Sequence, residues 1–329
     1  MTTPTNVTPQ STAAWHLASS QSPEMTHTVS SPLSGGDHPA VHPPGSPDPT
    51  QAGHWATSRA THGHYRRGET VTIWGVPFDR LTMREAITAI GQMIADRVPR
   101  YVITANLNYA MLAAEDPQLA PVTRDAAMIL ADGQPIVWRS RLKGGDQTLP
   151  CRVAGSEMIF RLAQESARRG WRIYFLGAEP GVAQACADNL CELYPGLTVA
   201  GVHSPPYKKL SPDEHERQLA QIRAARPDIL LVAFGQPKGE KWIRENAAAL
   251  GVPVSIQVGA SFDFAAGRVK RAPLWAQRLG LEWAHRMMSD PMRLVPRYSR
   301  NAMFLATTLV REWATFVSQR YGTNPTRNR

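Results

Sequence analysis

The stretch EHERQLAQIRAARPDILLVAFGQPKGEKWIRENAAAL, residues 214–250, alternates between two kinds of secondary-structure pattern. It starts with a helical pattern, and the run "ILLVAF" that follows is apolar throughout and short enough for a strand. The polar loop "GQPKGEKW" and a second helical pattern come next. A fully apolar strand between two helices is typical of a parallel sheet with helices on both faces.

The same alternation extends over residues 67–267. Strand patterns occur in "ETVTIWGVPFD", "RYVITA", "AAMILA", "WRIYFLG", "LTVAGVH" and "VPVSIQVG", with helical patterns between them. The predicted fold class is therefore α/β, a Rossmann-like, mainly parallel sheet with helices on both faces. Residues 1–66 are rich in Pro, Ser, Thr, Gly and His and lack apolar periodicity, which predicts a disordered leader.

The positive charge of the protein is concentrated at its C-terminal end. The 329 residues have a formal net charge of +9, and residues 268–329 contain eleven arginines and one lysine against three acidic residues. This segment predicts a basic helical appendage with an anionic partner. We find neither an export signal nor a run of eighteen apolar residues, so the sequence predicts a cytoplasmic chain without a spanning helix.

Five polar loops follow predicted strands: "TANLNY", "ADGQP", "LGAEPG", "FGQPKGEKW" and "VGASFDF". Ligands of open parallel sheets bind beyond the carboxyl ends of the strands, so these loops form the predicted site. Asp132 directly follows an apolar strand and is either a general base or the cap of the next helix. Thr104, Asn106 and Asn108 are suited to sugar hydroxyls and to turn formation alike.

Two of the loops contain residues suited to a diphosphate. Gly177 and Gly181 bracket a turn into a helix whose free N–H groups attract phosphate, although a plain strand-to-helix turn has the same pattern. Four polar residues in the next loop either stabilise a departing nucleotide or form a solvated helix start: Gln236, Lys238, Glu240 and Lys241.

A divalent metal ion is not predicted. No two aspartates are separated by a single residue, so the DxD pair that many nucleotide-sugar enzymes use is missing. The dinucleotide fingerprint GxGxxG is also missing, which disfavours a nucleotide-dependent oxidoreductase.

Taken in order, six blocks of the sequence resemble the WecG/TagA/CpsF glycosyltransferases over about residues 70–300: "TANLNY", "ADGQPIVW", "RVAGSE", "FLGAEPGV", "FGQPKGEKW" and "VGASFDFAAGRVKRAPLWAQRLGLEWAHRM". The resemblance implies transfer of a sugar from a nucleotide sugar, typically UDP-activated, to a polyprenyl-diphosphate-linked sugar. The reaction would take place on the cytoplasmic membrane face, invert the anomeric centre and need neither a metal ion nor another cofactor.

The resemblance also implies roles for single residues. Asp132 becomes the candidate base, with Thr104 as its neighbour in the acceptor pocket. The residues expected at the substrates are Asn106, Arg152, Gly177, Gly181, Gln236, Lys238 and Glu240, with Arg271 and Arg278 closing over the donor diphosphate. Members of the family often have "PKQE" where this chain has "PKGE", so we expect any donor contact by a glutamine at position 239 to be lost.

The basic segment from Leu274 to Met288 has arginines in one narrow sector of the helical wheel and a wide apolar arc with Trp275 and Trp283. This pattern indicates a helix at a lipid interface, so an anionic membrane surface is the predicted partner. Packing of both tryptophans on the protein core is the alternative. Nucleic acid is not predicted, because that would favour a broader basic face and a nucleic-acid-binding module.

A rival hypothesis is a non-catalytic basic adaptor that binds anionic lipid or nucleic acid. Asp132 argues against it, because an adaptor has no use for an acid at a strand end. The sequence leaves open the donor sugar (N-acetylmannosamine, its uronic acid or a hexose), the acceptor, and whether the protein is a homo-oligomer.

Overall fold

The computed structural model describes residues 64–269, 287–288 and 291–321, which all belong to one unit of the chain, Ala40–Arg329. Their centre is a six-stranded sheet in the order β4-β3-β8-β7-β5-β6, in which every neighbouring pair is parallel. The strands are β3 Arg100–Ala105, β4 Met128–Ala131, β5 Arg172–Gly177, β6 Thr198–His203, β7 Ile229–Ala233 and β8 Val254–Gln257. The predicted α/β fold class is confirmed.

Helices cover both faces of this sheet because successive strand residues point to opposite sides. Phe175 lies in the core under one face and Tyr174 in the core under the other. The first core is closed by α1 Met83–Asp96, α5 Gly155–Arg169, α6 Val182–Leu193 and α9 Ser261–Ala265. The second is closed by α2 Leu107–Glu115, α3 Leu119–Asp125, α4 Gln134–Lys143, α7 Pro212–Ala225 and α8 Lys238–Leu250.

An antiparallel hairpin precedes the sheet, where the sequence pattern predicted a single strand. It consists of β1 Thr70–Ile73 and β2 Val76–Asp79, joined by a tight turn at Trp74 and Gly75. Both turn residues have positive φ (49° and 81°), which matches the twist of a two-residue hairpin. The pattern did not show the second strand because its four residues VPFD include a proline and an aspartate.

Two helix starts follow from local sequence. Thr82 and Ser211 each form a capping box with the glutamate three residues later, at the starts of α1 and α7. These reciprocal bonds satisfy backbone N–H groups that have no partner within the helix. They fix where both helices begin without help from the core.

The last described helix, α10 Pro291–Tyr321, packs against α2. Leu294 and Asn301 are buried, and the ring of Phe304 meets Trp74 of the hairpin edge-on at 5.9 Å between centroids. Arg300 forms an ion pair with Glu115 of α2 (2.8 Å), and Glu312 forms one with Arg139 of α4 (2.7 Å). One side of this helix is therefore part of the folded core.

Candidate active site

All five predicted loops leave the sheet at the carboxyl edge of its strands. The strand order brings the loops after β4, β3, β8, β7 and β5 next to one another in that sequence. Each neighbouring pair is held in register up to its last residues, for example Ala105 opposite Ala131 and Ile103 opposite Gln257. The loops that the sequence placed in one site are thus neighbours in space.

Asp132 and Thr104 converge on the first turn of α5. A Cβ atom added at Gly155 would lie 3.3 Å from Oγ1 of Thr104, 3.5 Å from Oδ2 of Asp132 and 3.3 Å from Oγ of Ser261. The carboxylate and two hydroxyl groups therefore surround one backbone position that has no side chain of its own. A larger residue at position 155 would occupy the space between them.

The capping alternative for Asp132 does not describe the structure. Helix α4 begins at Gln134 with Gly133 as its N-cap, and no side chain caps it. The half-exposed Asp132 is instead held by its backbone, whose N–H donates to the carbonyl of Ala105 at 2.9 Å. This position directs a carboxylate to the end of β3, where Thr104 lies.

Thr104 is almost fully buried, and its hydroxyl proton is already in use. Its Oγ1 donates to the carbonyl oxygen of Gln257 on the neighbouring strand at 2.8 Å. The hydroxyl therefore faces the site as an acceptor with a fixed orientation.

The two asparagines of "TANLNY" make different hydrogen bonds. Asn106 is the N-cap of α2, and its Oδ1 accepts from the backbone N–H of Tyr109 at 3.2 Å, so turn chemistry accounts for that oxygen. Asn108 is buried and donates from Nδ2 to Oε1 of Gln236 at 3.2 Å. Gln236 in turn donates from Nε2 toward the carbonyl of Thr104 at 3.5 Å. The Gln236 amide thus joins the loops after β3 and β7.

Arg152 lies in the connection between α4 and α5. The backbone N–H of Val153 donates to the carbonyl of Ala131 at 2.9 Å, which places Arg152 beside the end of β4. Its side chain is half-buried. The backbone of Arg152 therefore lies beside the strand end that leads into Asp132.

The two predicted phosphate-loop glycines are required for different reasons. Gly177 has φ 105°, and a Cβ atom there would lie 2.9 Å from the backbone of Ala233 on β7, so chain packing alone demands glycine. Gly181 (φ 82°) is the N-cap of α6, and no atom lies within 4 Å of its added Cβ atom. The start of α6 is thus the open part of this turn.

The beginning of the basic segment lies next to the same turn. Arg268 forms an ion pair with Glu179 at 3.2 Å between Nη1 and Oε2. Arg271, Trp275, Arg278 and Trp283 lie outside the described residues. Their predicted roles at the donor diphosphate and at the lipid surface remain predictions.

The three charged residues at the start of α8 have separate environments. Lys238 is exposed, with its ammonium group 5.7 Å from the ring centre of Phe234. Lys241 forms an ion pair with Asp116 at 2.7 Å, so it ties α8 to the end of α2. Glu240 is fully buried, and burial raises the pKa of its carboxyl group to about 7.

Packing explains why position 239 is a glycine, and the sequence alone did not show this. A Cβ atom at this position would collide with the side-chain amide of Gln257, which is itself buried. Position 239 is therefore small because Gln257 fills the space beneath α8.

Ser261 and Gly155 were not among the predicted site residues, although both lie in the quoted blocks "VGASFDF" and "RVAGSE". A small residue at the first position of a helix was the available signal. In the described part of the chain, no group of three or more His, Cys, Asp or Glu side chains could hold a metal ion.

Comparison with known proteins gives a consistent result. The family model "Glycosyl transferase WecG/TagA/CpsF family" matches residues 71–318, which include all but the last three residues of α10. A Bacillus subtilis (strain 168) protein named N-acetylglucosaminyldiphosphoundecaprenol N-acetyl-beta-D-mannosaminyltransferase is 31% identical over 239 residues, 70% of this chain and 90% of that protein. A Staphylococcus aureus (strain MW2) protein of the same name is 30% identical over 227 residues, 68% of this chain and 86% of the relative.

Proposed function

We propose a reaction for this chain from the premise that it belongs to the WecG/TagA/CpsF family and is a glycosyltransferase. In this proposal it moves a sugar from a UDP-sugar to a polyprenyl-diphosphate-linked saccharide, with inversion at the anomeric carbon. The observation that carries the proposal is the convergence of Asp132, Thr104 and Ser261 around Gly155. A non-catalytic adaptor is not supported by these findings.

The chemistry needs one base and a stabilised leaving group. Asp132 accepts the proton of an acceptor hydroxyl while that oxygen bonds to the anomeric carbon of the donor. The bond from this carbon to the diphosphate oxygen breaks, and the electron pair leaves with UDP. Thr104, fixed as an acceptor, orients the acceptor sugar through a neighbouring hydroxyl group, because the only proton of the reacting hydroxyl goes to Asp132. No covalent sugar–enzyme intermediate is needed.

Positive groups around the donor side can neutralise the departing diphosphate. Arg152 lies beside the end of β4, Lys238 is exposed at the start of α8, and the N-terminus of α6 is open at Gly181. We assign the donor diphosphate to this side of the site. Arg271 and Arg278 would complete it from the basic segment.

The relatives' names bear on the choice of sugar. Both contain N-acetylmannosaminyl as the transferred group and N-acetylglucosaminyldiphosphoundecaprenol as the acceptor. We therefore propose an N-acetylmannosamine-type donor first, and its uronic acid or a hexose next. A lipid-linked intermediate of cell-surface polysaccharide biosynthesis would be the product.

A donor panel tests this proposal. The full-length protein is incubated with UDP-N-acetylmannosamine, its uronic acid, UDP-glucose and UDP-N-acetylglucosamine, together with a short-chain lipid-diphosphate N-acetylglucosamine, and products are identified by mass spectrometry. We expect one donor to give an elongated lipid-linked disaccharide of inverted configuration. Hydrolysis of the donors without transfer, or a product of retained configuration, would contradict the proposal.

The exposed side of α10 supports peripheral attachment to the inner face of the cell membrane. Five large apolar side chains lie along it at helical spacing, opposite the buried Leu294 and Asn301: Met292, Val295, Met303, Val310 and Trp313. We call these five residues the outer stripe. Trp138 and Leu142 of α4 are exposed as well. No helix among the described residues is long and apolar enough to span a bilayer.

A further inference from the structure

A buried carboxyl group lies behind the proposed donor side of the site. Glu240 is in the first turn of α8, and none of its side chain reaches solvent. Among the described residues, neither of its oxygens has a hydrogen bond of full geometry. A buried carboxylate of this kind is costly unless a nearby positive charge or donor favours it.

Three groups favour the charged form. They are its own backbone N–H in α8, the side chain of Gln236 in the loop before α8, and the Arg297 guanidinium group of α10. Lys241, also in α8, is paired with Asp116, and the Lys238 ammonium group lies over Phe234. On the α2 side, burial and then the negative charge of Glu240 raise the pKa of Tyr109. Ser255 and Gln257 of β8, on the strand beneath α8, carry no charge.

The Gln236 side-chain amide has one N–H hydrogen that can be donated to this carboxylate. Its Oε1 accepts from Asn108, and one Nε2 hydrogen points toward the carbonyl of Thr104. The second Nε2 hydrogen is available to an acceptor, and an ionised carboxylate only accepts. A protonated Glu240 can donate to Oε1 instead, which would permit the amide to turn over. The ionised form therefore specifies a single orientation of Gln236.

Arg297 belongs to the inner side of α10. It is half-buried and lies between Leu294 and Asn301, at the spacing that puts all three on one helical face. Its charge thus reaches Glu240 only when α10 is docked on the core. The docked state of the C-terminal helix and the charge state of Glu240 are linked.

We propose that Glu240 is a positioning residue whose carboxylate, stabilised by Arg297 of the docked C-terminal helix, holds the Gln236 amide in its working orientation. The inference rests on the proposed function, since it assumes that Gln236 serves the donor side. It gives α10 a second role in addition to surface attachment, because Arg297 of this helix stabilises the ionised form of Glu240.

The test is the pH dependence of kcat/KM in the full-length protein with the short-chain acceptor. Wild type should lose activity below about pH 7 as Glu240 takes up a proton, and this decline at low pH is the acid limb of the pH profile. Arg297→Gln should move this acid limb upward by about one pH unit and therefore lower kcat/KM at pH 7.5 by about threefold. Arg297→Lys should keep the limb near its wild-type position, and Glu240→Gln should remove it.

Arg300→Gln is the matched control, because Arg300 lies one turn away on α10 and its ion pair with Glu115 is exposed. It should leave the acid limb unchanged. An acid limb that stays in place in Arg297→Gln and in Glu240→Gln would overturn the inference. If Arg297→Gln does not fold, a wild-type limb that survives in Glu240→Gln still overturns it. Absence of transfer by wild type with every donor would contradict the proposed function instead.

Discussion

Asp132 is the side chain on which the proposed chemistry depends most directly. Asp132→Asn keeps the shape of the residue and removes the base. Because a general base contributes on the order of 10²–10⁴-fold in rate, we expect kcat to fall by that factor. The melting temperature should change little, because the residue is half-exposed and caps no helix. Near-normal turnover at neutral pH would rule out Asp132 as the base.

Glu240 makes the stability of the protein depend on pH. Its pKa is raised from 4.5 to about 7, so the folded state keeps a proton that the unfolded chain releases. The stabilisation from this group is present below about pH 4.5 and is lost as the pH rises to about 7. Glu240→Gln should therefore have a higher melting temperature than wild type at pH 8, with a free energy of unfolding larger by up to on the order of 3 kcal/mol. Near pH 4.5 the two proteins should melt at similar temperatures.

Glu85 provides the matched control, because it occupies the same third position of its helix, α1. It is exposed and bonded to Thr82, which lowers its pKa. Its contribution to stability is present at neutral pH and is lost as the pH falls through its lowered pKa, so Glu85→Gln should melt lower than wild type at pH 8. Thermal melts between pH 4.5 and pH 8 measure both effects. The same sign for both variants would refute the assignment of Glu240.

The residues of the site were predictable to different degrees. Asp132 and Thr104 lie at the ends of apolar strands. Because parallel strands bring their carboxyl ends together, the sequence pattern predicts that these two residues lie close to each other. Glu240 lies in the polar run "GQPKGEKW", which predicts a solvated helix start. Its burial depends on packing against residues far along the chain, including Arg297, and local sequence has no signal for such contacts.

At the scale of single elements, the turn between β5 and α6 contains two glycines whose replacement should destabilise the fold by different amounts. Gly177 and Gly181 both have positive φ, but only an alanine at position 177 would meet backbone atoms of Ala233. We expect Gly181→Ala to destabilise the fold by roughly 1–2 kcal/mol, the cost of a left-handed conformation. Gly177→Ala should cost clearly more, because β5 and β7 must also move apart. Urea unfolding of both variants measures the difference, and equal costs would contradict the close packing.

The outer stripe of α10 makes a prediction about lipid binding. Trp313 is 66% exposed within it, and Trp313→Glu should weaken sedimentation with anionic vesicles by about tenfold or more through lost apolar burial. Thr315→Glu, exposed on the same helix but off the stripe, changes the charge equally and should have a smaller effect. Binding should also weaken, without vanishing, at high salt. Equal losses in both variants would mean that charge alone attaches the protein.

The C-terminal helix also shows what periodicity leaves undetermined. The sequence placed one wide apolar arc on Leu274–Met288, whereas α10 extends over Pro291–Tyr321 with an apolar outer side and a docked inner side. Periodicity identifies apolar faces. It does not say which of them packs on the core, because that depends on complementary surfaces such as α2 and Trp74.

For the molecule as a whole, we predict that transfer does not depend on a divalent ion, because the sequence lacks a DxD pair and arginine and lysine side chains are available to the diphosphate. Activity should persist in excess EDTA. The measurement is the initial rate with and without chelator, followed by addition of Mg²⁺ or Mn²⁺. Complete loss that either ion restores would mean that the diphosphate is neutralised by metal.

The α/β class was predictable because strand and helix patterns alternate along the whole core. The strand order was not, since it depends on how far each connection crosses the sheet. The neighbouring strands β3 and β8 are an example: Val102 lies opposite Ile256. Nothing in either apolar run specifies the other as its partner.

The pairing of β3 with β8 has a consequence for the nascent chain. The ribosome makes β3 about 150 residues before β8, which at roughly 5–20 residues per second is a delay on the order of ten seconds or more. During this interval the inner edge of β3 has unpaired backbone groups, which are an aggregation risk. The sheet can close only after β8 has been made, and α10 comes later still in the chain. Both the proposed active site and the proposed lipid-binding helix therefore form late, so a chain released before β8 would have neither.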